Sequence, residues 1–281
     1  MLVNLNEVLK YAKEHNCAIG SFNTPTLESL NAVLNAATKL NVPVIIMHAE
    51  CHENEAPLTM IGPIMVMMAK KANIPVCVHL DHGEHFEYIK QAIELGFSSV
   101  MFDGSSLDYD ENVRLTKKVV ELAHKNNISV EAEIGILGGR EAGNNKILTP
   151  SEMYTDPDLA KKFVEDTKID ALACSFGTAH GIYKETPKLD FERIEKIRKL
   201  CKIPLVMHGG SGVPYEDYIK AIKLGVMKIN YYSYMARAGV NACKEILKTD
   251  VKFFHEVAHF ATLKMEEDVT NAMKVMYFIN Y

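Results

Sequence analysis

The 281-residue sequence has no tryptophan, no Gly/Ser-rich or Pro-rich linker and no C-x-x-C pair. Its six cysteines occur singly, which is typical of reduced thiols in the cytosol and argues against a disulfide scaffold. No apolar run approaches the ~18 residues of a membrane span, and no cationic start precedes an apolar core as in a secretory leader. We therefore expect a cytoplasmic protein with no membrane partner.

A surplus of basic residues is also lacking. The formal net charge is −5, with 31 Lys and Arg scattered among 36 Asp and Glu. No basic face is therefore expected that could neutralise a nucleic-acid backbone, and an anionic ligand has to be held by a local site. With 48% apolar residues, the chain can build a large core of its own.

Eight short apolar segments alternate with amphipathic helical patterns along the chain. Three of them have a proline at their first or second residue (Pro43, Pro75 and Pro204), and proline fits the start of a strand because it has no N–H to donate. The eight strand candidates are 18–22, 42–49, 75–80, 98–103, 128–134, 170–176, 204–208 and 228–232. Strands that alternate with helices predict right-handed βαβ units and a parallel sheet.

Eight such units predict a (β/α)8 (TIM) barrel of the α/β class. We expect a single domain over residues 1–281, with a helical extension at about 250–281 that covers the barrel or contacts a second subunit. The alternative is a doubly wound open sheet, but neither G-x-G-x-x-G nor G-x-x-x-x-G-K-[ST] follows the first strand.

Polar side chains lie at the predicted carboxyl ends of the strands, the face where barrel enzymes place their active sites. Among them, His82, His180 and His208 follow the third, sixth and seventh strands. Three imidazoles that converge from separate strands, with one open position, are typical of a catalytic zinc site. A lone histidine is more often a structural residue, so it is the shared face that favours a metal site.

Glycines follow two of these histidines, at Gly181 and within Gly209–Gly212. Without a Cβ, the backbone N–H groups of such loops can approach an anion closely. The same glycines can simply form tight turns, so this pattern leaves both interpretations open. Loops after the seventh and eighth strands of barrels frequently bind phosphate, and Asn230 and Ser233 would complete such a site.

Several segments resemble the class II fructose-bisphosphate and tagatose-bisphosphate aldolases. Residues 76–83 (VCVHLDHG) and 130–141 (VEAEIGILGGRE) match the two signature segments of that family at every signature position. Further similarity lies at 101–105, 177–181 and 208–212, so that it extends over about residues 1–245. The resemblance implies a zinc-dependent barrel enzyme that cleaves a ketose 1,6-bisphosphate into dihydroxyacetone phosphate and glyceraldehyde 3-phosphate.

The resemblance also implies a role for each matching residue. The implied zinc ligands are His82, His180 and His208, the implied acid/base at the hydroxyl next to the cleaved bond is Asp81, and Glu141 is implied to move the proton on the dihydroxyacetone phosphate carbon. The implied substrate positions, partly beside a monovalent cation (Na⁺ or K⁺), are Asn23, Gly181, Gly209, Gly210, Ser211, Asn230, Tyr232 and Ser233. Asp103 and Glu133 match positions that support the ligands or bind the metal alternatively. For Asp81, a role in orienting His82 stays open.

Three features depart from the family pattern. Tyr232 stands where fructose-type members have Asp and tagatose-type members have Ala, so the sugar preference cannot be transferred. No arginine follows Arg237 to bind a distal phosphate, and Lys264 or Lys274 would lack the bidentate fork of arginine. The roles of His48 and His52, at the end of the second strand, are undecided.

Other functions explain less of the sequence. A Schiff-base aldolase needs a buried lysine at a strand end, whereas Lys228 begins its predicted strand. A zinc hydrolase would carry an H-x-H pair after the first strand, which is absent. A different ketose phosphate as substrate, or a non-catalytic sugar-phosphate-binding barrel, remains the alternative. We expect a homo-oligomer, either a dimer or a tetramer.

Overall fold

The computed structural model describes residues 1–135 and 154–279, and its centre is a closed barrel of eight parallel strands in sequence order. β1 closes the barrel by pairing with β8 as well as with β2. The predicted (β/α)8 fold is confirmed. The strands are β1 (Ile19–Asn23), β2 (Val44–Ala49), β3 (Val76–Gly83), β4 (Ser99–Phe102), β5 (Ser129–Ile134), β6 (Ala171–Cys174), β7 (Leu205–Met207) and β8 (Val226–Tyr231).

Helices connect the strands and surround the barrel. They begin at side-chain caps where the sequence offers a suitable residue: Thr26, for example, accepts the N–H of Ser29 in a capping box. The helices in the described residues are Leu5–His15, Leu27–Leu40, Leu58–Lys71, Phe86–Glu94, Tyr109–Lys125, Pro157–Thr167, Phe191–Cys201, Tyr215–Lys223, Ser233–Ile246 and Phe254–Met276, with a short 3-10 turn at Glu50–His52.

The strand boundaries differ from the predicted ones at two functionally important places. β3 continues to Gly83 and includes a shift of register between Leu80 and Gly83. β8 begins at Val226, so Lys228 is the third residue of its strand and is completely buried. The prediction that Lys228 begins its strand was wrong, because the apolar residues before it also enter the barrel.

The terminal helix Phe254–Met276 packs against the barrel and against helices Leu27–Leu40 and Ser233–Ile246. Val269 and Met273 are buried on its inner side, and the backbone carbonyl of Met276 accepts the N–H of Ala18 at 3.0 Å. The expected helical extension is therefore present and covers part of the barrel. The single-domain organisation stays a prediction. Among the described residues, no helix is long and apolar enough to span a membrane.

Candidate active site

Three histidines converge at the carboxyl end of the barrel, as predicted. The ring centroids of His82 and His208 are 4.6 Å apart, those of His82 and His180 are 5.0 Å apart, and those of His180 and His208 are 5.9 Å apart. One ring nitrogen from each lies within 4.8 Å of the other two. These atoms therefore form a compact three-nitrogen group supplied by three separate segments of the chain.

A local distortion of β3 turns two consecutive side chains towards this group. In a regular strand, Asp81 and His82 would face opposite sides of the sheet. His82 instead has a left-handed φ of 47°, and the pairing with β4 shifts register at this point. Such a conformation is costly for a residue other than glycine, and it is typical of functional sites. It allows both side chains to line the same pocket.

Two buried carboxylates fix the orientation of the histidine rings. Asp103 Oδ2 lies 2.6 Å from His82 Nδ1, and Glu131 Oε1 lies 2.9 Å from His208 Nε2. Because an ionised carboxylate only accepts hydrogen bonds, both ring nitrogens must be donors. The opposite nitrogens, His82 Nε2 and His208 Nδ1, face each other at 3.0 Å.

With both rings neutral, these two nitrogens would be lone pairs that repel each other, so a proton or a metal ion has to lie between them. Burial disfavours the charged form of His82, yet Asp81 and Asp103 outweigh it and raise the pKa of His82 to about 10. The site thus attracts positive charge. Three imidazoles, two of them oriented by carboxylates, are the donor set of a catalytic zinc ion. The residues therefore fit a zinc ion.

The Asp81 carboxylate lies next to the histidines and is held by two amides. Asn23 Nδ2 donates to Oδ2 at 2.8 Å, and Asn230 Nδ2 donates to Oδ1 at 3.1 Å. Burial opposes ionisation, but His82, His208 and Lys228 outweigh it and hold the pKa of Asp81 well below its usual range. Asp81 is therefore an ionised, fixed proton acceptor.

A pocket of about 210 Å³ opens above these groups. It brings together most of the predicted site. The lining residues are Asn23, Ala49, Cys51, His52, Asp81, His82, His180, Gly181, Gly209, Ser211, Asn230, Tyr231, Tyr232 and Ser233. Among the described residues that line it, none is a lysine or arginine.

The aldolase family model, described as "Fructose-bisphosphate aldolase class-II", matches residues 3–280. The chain belongs to this family. It is therefore a class II aldolase, a lyase whose family is generally zinc-dependent.

Similar proteins agree with this assignment. The chain is 41% identical over 256 residues to a fructose-bisphosphate aldolase of Staphylococcus aureus (strain Mu50 / ATCC 700699). The matched residues make up 90% of this chain and 88% of that protein. It is 42% identical over 254 residues to the fructose-bisphosphate aldolase of Geobacillus stearothermophilus, a match that covers 89% of this chain and 87% of that protein. The crystal structure of the YdjI aldolase from Escherichia coli K12 superposes on this chain with a TM-score of 0.88 at 35% sequence identity. The superposition covers 98% of this chain and 97% of that one.

The predicted glycines of this aldolase do not all face the pocket. Gly209 lines it with a φ of 61°, and a Cβ there would lie 2.3 Å from the carbonyl oxygen of Ala179, so the loop requires glycine. Gly210 is not a lining residue, and its N–H donates to the carbonyl of Asn230 at 3.0 Å. Gly210 therefore joins β8 to the loop after β7.

The remaining predicted residues have distinct positions. Glu133 is completely buried, and its Oε2 lies 3.7 Å from His208 Nδ1. It forms a second three-residue group with His82 and Asp103 that has the composition of a metal site. Glu141 lies outside the described residues.

Two groups in the site were not predicted from the sequence. Glu131 was given no role in the sequence analysis, although a second glutamate two residues from Glu133 in a buried strand is a signal of an inward-facing pair. Lys228 is fully buried, with its Nζ 2.9 Å from Glu131 Oε2. Burial opposes the charge on Glu131, but Lys228 and His208 hold the pKa of that carboxyl at about 2.

The two undecided histidines differ in environment. His48 is buried behind the pocket, and its Nε2 lies 2.9 Å from the Tyr88 hydroxyl, which donates to Glu53 at 2.6 Å. His52 lines the pocket, with its ring centroid 5.3 Å from that of Tyr232. An aromatic pair therefore stands at the position where this aldolase departs from the family pattern.

Proposed function

We propose that the chain catalyses the reversible retro-aldol cleavage of a ketose phosphate into dihydroxyacetone phosphate and an aldehyde. The observation that carries this proposal is the fixed Asp81 carboxylate beside three histidine nitrogens that face one point. Retro-aldol cleavage requires a base at a hydroxyl and a cationic centre for the charge that develops on the carbonyl side.

His82, His180 and His208 would hold one zinc ion in this proposal. When bound, zinc supplies Lewis-acid stabilisation of the negative charge that develops on the substrate oxygens. The carboxylates of Asp103 and Glu131 accept from one ring nitrogen each of His82 and His208, which would leave the other nitrogens of these two rings available to the ion. A monovalent cation near Gly181, Ser211 and Ser233 is part of the proposal.

Asp81 would act on the hydroxyl of the carbon next to the cleaved bond. In cleavage it takes the hydroxyl proton as the aldehyde forms, and in condensation it returns that proton. The amides of Asn23 and Asn230 hold the carboxylate in place through both oxygens. Glu141 would protonate the carbon of the dihydroxyacetone phosphate fragment.

The first candidate substrate is a ketose 1,6-bisphosphate of the fructose or tagatose type, which would release glyceraldehyde 3-phosphate. Its support is the 41–42% identity to two relatives called fructose-bisphosphate aldolase. The phosphate of the dihydroxyacetone half would lie at Gly181, Gly209, Ser211 and Ser233 on the pocket wall.

The second candidate is a ketose phosphate with a different distal end. Tyr232 and His52 stand together at the pocket wall, where an Asp or Ala would leave more space. Neither Lys264 nor Lys274 lines the pocket in the described structure, and Lys264 pairs with Glu267 at 3.0 Å. A less strongly charged distal group fits these surroundings better than a second phosphate.

A Schiff-base mechanism has a candidate lysine inside the barrel, but it is poorly placed. The Lys228 ammonium is held by the Glu131 carboxylate at 2.9 Å and donates to Asn230 Oδ1 at 2.8 Å. Lys228 is also not among the pocket-lining residues. The cytoplasmic location, the homo-oligomeric state and the monovalent cation all stay predictions.

The test is a zinc-replete activity screen over the stereoisomeric ketose bisphosphates and monophosphates, with the release of dihydroxyacetone phosphate as readout. We expect release from at least one of them and none after chelation. Full activity in metal-free protein, with borohydride trapping of substrate on a lysine, would refute the metal-dependent mechanism. Binding of sugar phosphates without any cleavage would favour the non-catalytic alternative.

A further inference from the structure

A buried ion pair spans the interior of the barrel beneath the histidines. Lys228 on β8 and Glu131 on β5 are both 0% exposed, and Lys228 Nζ lies 2.9 Å from Glu131 Oε2. β5 and β8 are not neighbours in the barrel, so the pair crosses the core. Buried ion pairs are often no more stabilising than apolar side chains of the same size, and stability alone is a weak reason for this pair.

Both ends of the ion pair continue to groups of the site. On one side, the second oxygen of Glu131 accepts from His208 Nε2 at 2.9 Å. On the other side, the Lys228 ammonium donates to Asn230 Oδ1 at 2.8 Å, and Asn230 Nδ2 donates to Asp81 at 3.1 Å. A continuous path of hydrogen bonds and one ion pair therefore joins a zinc-ligand candidate to the acid/base candidate.

Lys228 decides which way the Asn230 amide faces. The two ends of an asparagine amide have nearly the same shape, and only their partners fix the orientation. Because lysine only donates, it binds the oxygen of the amide and leaves the NH₂ group directed at Asp81. With the amide reversed, its oxygen would face the carboxylate and repel it.

We infer that Lys228 is a positioning residue for the reaction: through Asn230 it holds the Asp81 carboxylate in its reactive orientation, and through Glu131 it holds His208. This inference rests on the proposed aldolase function. It differs from a general structural role because it predicts a loss at the step that uses Asp81, while the zinc site and the other half of the reaction persist.

The test is the double variant Lys228→Met/Glu131→Gln. It removes both charges together and so avoids leaving one of them unpaired in the core. The introduced glutamine keeps a side-chain oxygen that can accept from His208, whereas the introduced methionine offers no donor to Asn230. Thr167→Val is the matched control, because it also removes a buried side-chain hydrogen bond, but one that lies within helix Pro157–Thr167.

Two half-reactions separate the outcomes. Cleavage needs Asp81, whereas exchange of the dihydroxyacetone phosphate C–H proton with solvent does not need it in the proposed mechanism. Per bound zinc, we expect the double variant to lose about 10–100-fold in kcat for cleavage, with KM and the exchange rate within about twofold. Its zinc affinity, measured with a competing chelator, should stay within about threefold of the parent, and Thr167→Val should retain both half-reactions.

Two results would overturn the inference: an unchanged cleavage rate, or a fall of cleavage and exchange by the same factor. If the double variant does not fold, Lys228→Leu/Glu131→Gln also offers no donor to Asn230 and is read by the same ratio of cleavage to exchange. Failure of the proposed function is distinguishable, because the parent protein itself would then cleave no ketose phosphate.

Discussion

Replacing each of the two aspartates beside His82 with alanine should separate the chemical step from metal binding. We expect Asp81→Ala to keep zinc and lose about two to four orders of magnitude in kcat, the usual scale for a positioned acid/base. This corresponds to about 3–5 kcal/mol in the activation barrier. We expect Asp103→Ala to weaken zinc binding about 10–100-fold, or about 1.4–2.7 kcal/mol, while the zinc-loaded fraction retains most of its turnover.

The structure provides the reason for this division. The Nδ1–H of His82 is taken by Asp103 at 2.6 Å, so Asp81 is not required to orient that ring. Asp81 instead accepts only the amides of Asn23 and Asn230 in the described part of the site, and it faces the pocket. Its loss leaves two N–H donors that water can reach through the pocket.

The assay is zinc titration against a competing chelator, followed by kcat measured per bound zinc for both variants. Thr167→Val serves as a control for the loss of a buried hydrogen bond away from the site. If Asp81→Ala lost zinc while its zinc-loaded fraction turned over normally, Asp81 would be an orienting residue and the assignment of the two aspartates would have to be exchanged.

The same geometry supports three further predictions. Tyr232→Asp and Tyr232→Ala should change the ratio of kcat/KM between fructose and tagatose bisphosphates by about tenfold or more, and equal, high parental values unaffected by either change would show that Tyr232 points away from the sugar. Removal of the metal by chelation should abolish activity, and zinc or cobalt should restore it. Burial, together with His52, lowers the pKa of His48 to about 4, below its unfolded value of about 6.5. The contribution of neutral His48 to the free energy of unfolding is therefore fully present above pH 6.5 and is lost as the pH drops towards 4. Between about pH 7 and 5, the free energy of unfolding measured in urea should fall by about 2 kcal/mol more in the parent than in His48→Gln. The same dependence on pH in both proteins would contradict this prediction.

The strands were predictable because each is a short, apolar segment, and three of them have a local signal at the start. Pro43, Pro75 and Pro204 each immediately precede a strand of the barrel. The end of β3 was predicted too early, at residue 80, because the left-handed φ of His82 and the register shift beside it depend on pairing with β4. The start of β8 was predicted two residues late for a similar reason. A charged residue such as Lys228 is typical of a strand end, and its buried partner Glu131 cannot be identified from the sequence pattern.

The three histidines were proposed as metal ligands because their residue type is rare in apolar strands and recurs at strand ends, whereas the acid/base role of Asp81 was implied by the resemblance to the aldolase family. Glu131 and Lys228 were not recognised as parts of the site. Each is an unfavourable residue in a core when considered alone. Only the approach of β5 and β8 across the barrel, far apart as they are in sequence, makes the pair acceptable.

The sequence by itself determined the alternation of strands and helices, the strand ends that carry polar groups, and the three histidines, because these depend on local pattern and residue chemistry. The tertiary structure decided which carboxylate serves which group: Asp103 binds His82, Glu131 binds His208, and Asp81 is left for the two amides. Hydrogen bonds act over about 3 Å, and residues far apart in sequence come within that distance only once the barrel has closed.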